Sequence, residues 1–335
     1  MTALELHTIE MHTGGEPVRI VEAGYPAIPG DTILAKRRYV SENLDHLRRL
    51  LMHEPRGHND MYGVIPVEPD MPDADMAVLF MHNEGYSTMC GHAVIALGRY
   101  AVDQGIVAAT EPETTVVIQC PCGPVMVRVS VVDGKPGRVR FESVPAFAFA
   151  RDKTVDTSEY GPVTVDIGYG GAFYAVVPAD QFGLDVRASK TRDLVDAASI
   201  ITEAVKGQVP LHHPADDDLA FLYGTILTDG DDAYSVAPTA NICVFADAQV
   251  DRSPTGSGVT ARIALQHRRG LIGFGQERTF ESITGALFTG KAVSETTAGE
   301  FKAVTVEVAG EARYTGRCTF TMEESDEIGA GFILG

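Results

Sequence analysis

Two short segments of the sequence place small polar residues where a helix is predicted to begin. They are Met89-Cys-Gly-His and Pro254-Thr-Gly-Ser-Gly, and each precedes an apolar helical stretch. Backbone N–H groups at a helix N-terminus have no partner inside the helix and lie at the positive end of its dipole, so they bind anions. The alternative is two ordinary helix starts. Four residues are candidates to offer N–H groups to one carboxylate: Gly91, His92, Gly256 and Ser257.

Cys90 is the most reactive side chain at these two helix starts. A helix N-terminus lowers the pKa of a thiol, and the resulting thiolate can act as a nucleophile, a metal ligand or a Brønsted base. A cysteine taken alone is more often a small buried apolar residue, but its place beside an anion site favours function. The pair Cys120 and Cys122 has no second Cys or His pair at zinc-ligand spacing, so the sequence predicts no metal site.

The chain repeats itself once, at an offset of 165 residues. Both copies run from an apolar strand through a small polar turn into a helix that stops at a glycine, the usual residue after a helix end. Chance is the alternative, because strand–turn–helix segments are common, but agreement at several points along one offset favours a duplication. The aligned pairs are Cys90 with Thr255, Gly91 with Gly256, Gly105 with Gly270 and Phe80 with Phe245.

The hydrophobic pattern predicts two similar halves of mixed helix and strand, an α+β arrangement. Residues 93–102 are apolar on nearly every side, which is typical of a helix that is buried all round. Residues 125–129 and 304–308 alternate, as half-buried antiparallel strands do. We expect each half to be a curved, mostly antiparallel sheet around a central helix, with a cleft between the two helix N-termini. The expected halves are residues 1–160 with a C-terminal strand at about 322–335, and residues 161–321.

Composition and charge exclude several classes of function. The chain has 27 Lys and Arg against 46 Asp and Glu, a net charge of −19, which argues against a nucleic-acid partner and an anionic membrane surface. No apolar run reaches the roughly 18 residues of a membrane helix, and the first ten residues lack the pattern of a secretory signal. Five cysteines in 335 residues do not suit a disulfide scaffold. These features predict a cytoplasmic protein.

The sequence resembles the proline racemase family over nearly its whole length. The resemblance implies the diaminopimelate-epimerase-like fold, which has two pseudo-symmetric α/β halves with the active site between them. It also implies an enzyme that needs no cofactor, acts on a small imino acid and forms a homodimer. Five motifs in family order carry it: His12-Thr-Gly-Gly-Glu-Pro, Gly57-His-Asn-Asp-Met-Tyr-Gly, Met89-Cys-Gly-His, Gly170-Gly-Ala-Phe-Tyr and Asp251-Arg-Ser-Pro-Thr-Gly-Ser-Gly.

The resemblance also implies a chemical difference at one catalytic position. In the racemases and epimerases of the family, two cysteines flank the substrate α-carbon; one removes a proton and the other returns one. Cys90 matches the first cysteine, whereas Thr255 stands at the position of the second. A Thr hydroxyl stays protonated at physiological pH, so inversion by two bases is expected to fail. The Cys/Thr pairing is similar to family members that dehydrate trans-3-hydroxy-L-proline.

Further substrate contacts follow from the same resemblance. Asp251 matches the residue that contacts the ring nitrogen of the substrate, although a turn residue before Pro254 is the alternative. His92 is expected to act mainly through its backbone N–H. Tyr62 and Phe245 match aromatic wall positions, but aromatic residues beside strands are as often part of the core.

Three functions remain open from the sequence. The first is dehydration of the hydroxyproline by Cys90. The second is an isomerase, either a proline racemase or a 4-hydroxyproline epimerase, that uses another second acid. The third is an imino-acid-binding protein without catalysis, and the retained Cys90 argues against it because a binding protein has no need of the thiol.

Overall fold

The computed structural model describes residues 4–334, which form two compact units. The first unit contains the residues up to Val139 and those from Glu311 onwards, and the second is Arg140–Gly310. The halves expected from the sequence divide at 160/161 and 321/322, and this division stays a prediction; its outer limits, residues 1–3 and 335, lie outside the described residues. The strands Ala146–Thr157 and Gly161–Tyr169, on either side of residue 160, pair with each other as one hairpin.

The first unit is built on a sheet in which most neighbouring strands are antiparallel. Strand β1 pairs with β2 and with β18, β3 pairs with β4, and β6 pairs with β7, all antiparallel. Two parallel pairs interrupt this pattern, β2 with β3 across helices α1 and α2, and β4 with β6 across helix α3. The elements are β1 (Leu4–Thr13), β2 (Glu16–Ala23), α1 (Ile33–Asn43), α2 (Asp45–Met52), β3 (Tyr62–Val67), β4 (Met76–His82), β5 (Tyr86–Ser87), α3 (Gly91–Asp103), β6 (Glu113–Cys120), β7 (Gly123–Val132), β8 (Lys135–Glu142, which ends in the second unit) and β18 (Ala312–Met322).

The second unit repeats this order of elements. Its sheet closes on itself, because β17 pairs with β9 after the chain has passed through β10 to β16. The two parallel pairs recur as β11 with β12 across α4, and β13 with β15 across α5. The elements are β9 (Ala146–Thr157), β10 (Gly161–Tyr169), β11 (Phe173–Pro178), α4 (Thr191–Gln208), β12 (Leu222–Thr228), β13 (Thr239–Phe245), β14 (Gln249–Asp251), α5 (Gly256–Arg268), β15 (Arg278–Ser282), β16 (Leu287–Ala298) and β17 (Phe301–Gly310).

Each sheet wraps around one central helix, as the hydrophobic pattern predicts. Helix α3 packs on β1, β2, β6, β7 and β18, and helix α5 packs on β9, β10, β11, β16 and β17. The contact with the sheet is close: a Cβ on Gly98 of α3 would lie 2.5 Å from Val127 Cγ1. The predicted fold class of two α/β units, each with a mostly antiparallel sheet around a helix, is therefore confirmed. Among residues 4–334, no helix combines the length and apolar character that a membrane span requires.

Candidate active site

In the first unit, Cys90 is the N-cap residue, immediately before helix α3. Its backbone is extended, with φ −146° and ψ 107°, and its carbonyl accepts the first helical hydrogen bond from the Val94 N–H at 2.9 Å. The next N–H groups, those of Gly91 and His92, belong to the first turn, where a helix offers donors to an external anion. Cys90 is only 5% exposed, so its sulfur is largely removed from solvent.

The side chain of His92 lies against the sulfur of Cys90. Its Nδ1 is 3.0 Å from Cys90 Sγ, and its backbone carbonyl accepts a hydrogen bond from Thr13 Oγ1 at 2.9 Å. The family resemblance gives His92 a role mainly through its backbone N–H; the structure adds a ring nitrogen within proton-transfer distance of the thiol. A sulfur and an imidazole in this arrangement can share one proton, which favours a thiolate.

Tyr62 supports this pair from strand β3. Its ring meets the His92 ring edge-on at a centroid distance of 4.8 Å, and its hydroxyl is 2.5 Å from Ser87 Oγ. Tyr62 is 1% exposed, so within the first unit it is a buried side chain that holds the imidazole in place. A role as an aromatic wall for a substrate stays a prediction.

Two further thiols of the first unit differ from Cys90 in their surroundings. Burial raises the pKa of the Cys122 thiol to about 12. Burial also raises the pKa of Cys120 well above its ordinary value, and neighbouring Cys122 and Cys90 add to the shift. Both groups are therefore protonated near neutral pH. Neither lies at a helix N-terminus, since Cys120 ends β6 and Cys122 follows in the turn.

In the second unit, Thr255 occupies the corresponding position before helix α5. Its φ is +66° and its ψ is 93°, a left-handed conformation that is strained for a β-branched residue. Its carbonyl accepts the first helical hydrogen bond from the Val259 N–H at 2.7 Å. Thr255 is 4% exposed, and within residues 4–334 its Oγ1 has no hydrogen-bond partner. A buried hydroxyl without a partner points to a group that the protein itself does not supply.

A tight polar turn leads into Thr255. The Asp251 carboxylate accepts from the Ser253 N–H at 2.8 Å, and Ser253 Oγ accepts from the Thr255 N–H at 3.1 Å. Asp251 therefore acts in the turn, as the sequence analysis allows, and its predicted contact with the substrate nitrogen stays a prediction. The sequence itself indicates this turn, because side chains of Asp and Ser, here Asp251 and Ser253, commonly hydrogen-bond the backbone N–H two residues further on.

An aromatic row lies beside the α5 N-terminus. Tyr174 OH is 2.7 Å from Ser257 Oγ, the Tyr174 ring meets Tyr223 edge-on at 5.8 Å, and Tyr223 stacks on Phe245 at 5.2 Å. The backbone approaches the first turn of α5 closely at Gly170. A Cβ on Gly170 would lie 2.2 Å from the Ser257 carbonyl oxygen, so a larger residue does not fit there. This contact explains the glycine in the Gly170-Gly-Ala-Phe-Tyr motif.

The structure thus distributes the predicted site residues over both units. Four of them, including Cys90, lie in the first unit at α3 and β3, and five, including Thr255, lie in the second at α5 and the neighbouring strands. Sequence reasoning missed the hydrogen bonds of Ser253 with the Thr255 N–H, of Tyr174 with Ser257 Oγ, and of Asn241 with the Pro254 carbonyl. In the described part of the chain, no group of three or more His, Cys, Asp or Glu side chains is placed to hold a metal ion.

Comparison with known proteins identifies related chains along the whole length. The sequence profile of the proline racemase family matches residues 8–333. The chain is 65% identical over 331 residues to the trans-L-3-hydroxyproline dehydratase of Xenopus tropicalis, which covers 98% of this chain and 95% of that one. It is 60% identical over 334 residues to the trans-3-hydroxy-L-proline dehydratase of Homo sapiens, covering 98% and 94%. A solved hydroxyproline epimerase from Agrobacterium vitis, with bound trans-4-hydroxy-L-proline, matches with a TM-score of 0.93 at 26% identity, covering 99% of this chain and 95% of that one.

Proposed function

The chain belongs to the proline racemase family, and we propose that it is a hydro-lyase that dehydrates trans-3-hydroxy-L-proline to pyrroline-2-carboxylate. The observation that carries the proposal is a thiol at the start of α3 and a hydroxyl at the equivalent start of α5. Relatives that are 60% and 65% identical over 98% of the chain bear the name of this dehydratase, which supports the same reaction.

The stereochemistry of the substrate suits a single base. In trans-3-hydroxy-L-proline the carboxylate and the hydroxyl lie on opposite faces of the ring, so the α-hydrogen and the hydroxyl share one face. In the proposed mechanism the Cys90 thiolate removes the α-proton and leaves a carbanion, whose electron pair then forms the double bond between C2 and C3. The C3–O bond breaks, and the hydroxyl leaves as water after it receives a proton from the Cys90 thiol or from a water that the thiol holds.

The surroundings of Cys90 support its role as the base. The start of α3 and the imidazole of His92 at 3.0 Å both favour the thiolate over the thiol. His92 can hold the thiol proton in the resting enzyme and keep it through the reaction, since the proton that the hydroxyl receives is the one that Cys90 has taken from the α-carbon. The burial of Cys90 keeps bulk water from competing for the proton.

The difficult intermediate is the carbanion, whose charge spreads onto the substrate carboxylate. Backbone donors that are already oriented stabilise such a charge without rearrangement. We propose that this carboxylate binds the first-turn N–H groups of α3 and α5, that Asp251 contacts the ring nitrogen and that Tyr62 and Phe245 line the ring. Thr255 then faces the side of the ring opposite Cys90, where it binds the substrate but exchanges no proton. Proton transfer by these groups completes the reaction, so the proposal includes no cofactor.

The proposal extends to assembly and location. The family resemblance supports a homodimer, and the five cysteines, among which the described structure has no disulfide, support a cytoplasmic enzyme. Light scattering coupled to size-exclusion chromatography tests the first point, because a monomeric mass would contradict it.

An isomerase is the second candidate, and one observation favours it. The A. vitis neighbour is a hydroxyproline epimerase and shares the fold at a TM-score of 0.93. An isomerase needs a second proton donor on the face where this chain has Thr255, whose hydroxyl does not ionise near neutral pH. The dehydratase is therefore the stronger proposal.

Product analysis separates the candidates in one experiment. The purified protein is incubated separately with trans-3-hydroxy-L-proline, trans-4-hydroxy-L-proline and L-proline, and the products are identified by NMR and chiral chromatography. The proposal predicts pyrroline-2-carboxylate from the first compound and unchanged configuration in the other two. Inversion at the α-carbon of the 4-hydroxy compound or of proline without loss of water would establish the isomerase. Binding without any product would establish an imino-acid-binding protein.

A further inference from the structure

Helix α5 carries buried polar side chains at positions where α3 is apolar. Arg262 and Gln266 are 1% and 2% exposed, and at the offset of 165 residues they correspond to Leu97 and Ala101. A buried guanidinium is expensive unless it is paired. The second unit therefore maintains a polar cluster that the packing of a central helix does not require.

The outer end of this cluster is a carboxylate. Asp232 Oδ1 accepts hydrogen bonds from Arg262 Nη2 at 3.0 Å and from Gln266 Nε2 at 2.9 Å. Burial alone would raise the pKa of Asp232, but the charge of Arg262 and the bonds from Gln266 and Arg262 lower it overall. The carboxylate is thus ionised near neutral pH, and it fixes two side chains that are one helical turn apart.

The inner end of the cluster reaches the turn before α5. Arg262 Nη1 donates to Asn241 Oδ1 at 3.2 Å, and Asn241 Nδ2 donates to the Pro254 carbonyl at 3.3 Å. Arg262 has only donors, so it determines which end of the Asn241 amide faces it and directs the NH2 group towards Pro254. Asn241 is 1% exposed, and its side-chain oxygen and nitrogen both have protein partners, Arg262 and the Pro254 carbonyl.

The peptide group between Pro254 and Thr255 is consequently held at both of its ends. Its carbonyl accepts from Asn241, and its N–H donates to Ser253 Oγ at 3.1 Å. The orientation of this peptide plane sets φ of Thr255, which is +66°. A strained dihedral angle persists only where the surrounding structure over-determines it.

We propose that Asn241, oriented by Arg262, is a positioning residue that holds Thr255 in its left-handed conformation and so directs the Thr255 hydroxyl at the substrate. The inference rests on the proposed function for the role of Thr255. The first unit offers a natural contrast: Met76 stands at the position equivalent to Asn241, and Cys90 has an extended backbone that needs no such support.

The test is a double-mutant cycle with an isosteric variant. Asn241→Asp keeps an acceptor for Arg262 but loses the donor to the Pro254 carbonyl. In the wild-type background we expect kcat/KM for trans-3-hydroxy-L-proline to fall about 10-fold, since one hydrogen bond that orients a substrate-binding group is lost. In the Thr255→Ala background the same change should lower kcat/KM by less than about two-fold, because the group it positions is gone. Equal losses in both backgrounds would overturn the proposal.

A second readout does not depend on activity. Amide hydrogen exchange of the segment 253–258 is compared in the wild type, Asn241→Asp and Thr202→Val, a control that removes a buried hydrogen bond to Thr225 elsewhere in the second unit. The proposal predicts at least about 10-fold faster exchange in this segment for Asn241→Asp and no change for the control. Unchanged exchange in Asn241→Asp would overturn it. If the wild type lacked dehydratase activity, the proposed function would fail while this measurement still tested the positioning.

A variant at the far end of the cluster covers the case in which Asn241→Asp does not fold. Asp232 lies on a loop and is partly exposed. Asp232→Asn weakens its ion pair with Arg262 without changing the size of the side chain. We expect the same pattern at smaller size, with kcat/KM about two- to three-fold lower and coupled to Thr255. An effect independent of Thr255 would contradict the proposal.

Discussion

The starts of helices α3 and α5 are the two regions whose comparison is most informative. Both helices have 13 residues, and both are followed by a left-handed glycine, Gly105 with φ 71° and Gly270 with φ 72°. At the residue immediately before each helix they diverge: Cys90 is extended and contacts an imidazole, whereas Thr255 is left-handed and its peptide group is held by polar side chains. A repeated scaffold therefore does not repeat its chemistry, and function must be argued from each site separately.

The divergence separates two roles. The first unit places a thiol beside a proton acceptor, which is what a base needs. In the second unit, several buried hydrogen bonds hold in place a residue whose hydroxyl does not ionise. Substitutions at Cys90 and Thr255 should therefore differ in the kind of activity they remove as well as in the size of the loss.

The largest expected effect separates the two helix starts directly. Cys90→Ser replaces the thiolate with a hydroxyl that is a much weaker base near neutral pH, and we expect the rate of pyrroline-2-carboxylate formation to fall about 10³-fold. Thr255→Ala should lower kcat/KM only about 10-fold, since it removes a binding contact. Near-normal dehydration by Cys90→Ser, measured by NMR of the product, would show that Cys90 is not the base.

The next effect tests the partner of the thiol. His92→Ala keeps the backbone N–H but removes the ring nitrogen 3.0 Å from Cys90 Sγ, and kcat should fall about 10- to 100-fold. The matched control is His46→Ala, which changes an exposed histidine on α2. If both variants retained wild-type kcat, His92 would act through its backbone alone, as the family resemblance implies.

A third prediction concerns the pH dependence of the polar cluster in the second unit. The pKa of Asp232 is below its ordinary value of 3.8 in the folded state, so its stabilising effect is complete above pH 3.8 and is lost as the pH falls through the lower, folded value. Asp232→Asn should lower the free energy of unfolding by about 1 kcal/mol at pH 7, and this difference should shrink as the pH falls below 3.8. Urea unfolding at several pH values measures the difference, with Asp247→Asn, an exposed residue, as the control. A destabilisation that did not change with pH would rule out the carboxylate as its cause.

The smallest expected effect tests backbone strain at the two helix starts. Glycine relieves the left-handed conformation of Thr255, worth about 1–2 kcal/mol, and this offsets the loss of side-chain burial and the greater flexibility of the unfolded chain. Cys90→Gly gains no such relief because φ of Cys90 is −146°. Thr255→Gly should therefore destabilise the protein by about 1–2 kcal/mol less than Cys90→Gly in urea unfolding followed by circular dichroism. Equal destabilisation would mean that Thr255 is not strained.

The sequence predicts the scaffold well because local signals determine it. The glycines that end α3 and α5 and the apolar character of residues 93–102 indicate the two helices and their burial. The interaction of His92 with Cys90 and the φ of Thr255 could not be predicted, because both depend on contacts from residues distant in sequence. Arg262 likewise gives no local indication that it faces inward, since its partner Asp232 lies 30 residues away on a loop.

The configuration of unreacted substrate tests the central claim most directly. The wild-type enzyme converts about half of a sample of trans-3-hydroxy-L-proline in D2O, and the remaining substrate is examined by chiral chromatography and NMR. If only the Cys90 side exchanges protons, all of the remaining compound keeps its configuration at the α-carbon while pyrroline-2-carboxylate accumulates. The appearance of the α-carbon epimer, cis-3-hydroxy-D-proline, would show protonation from the side assigned to Thr255 and would contradict the account.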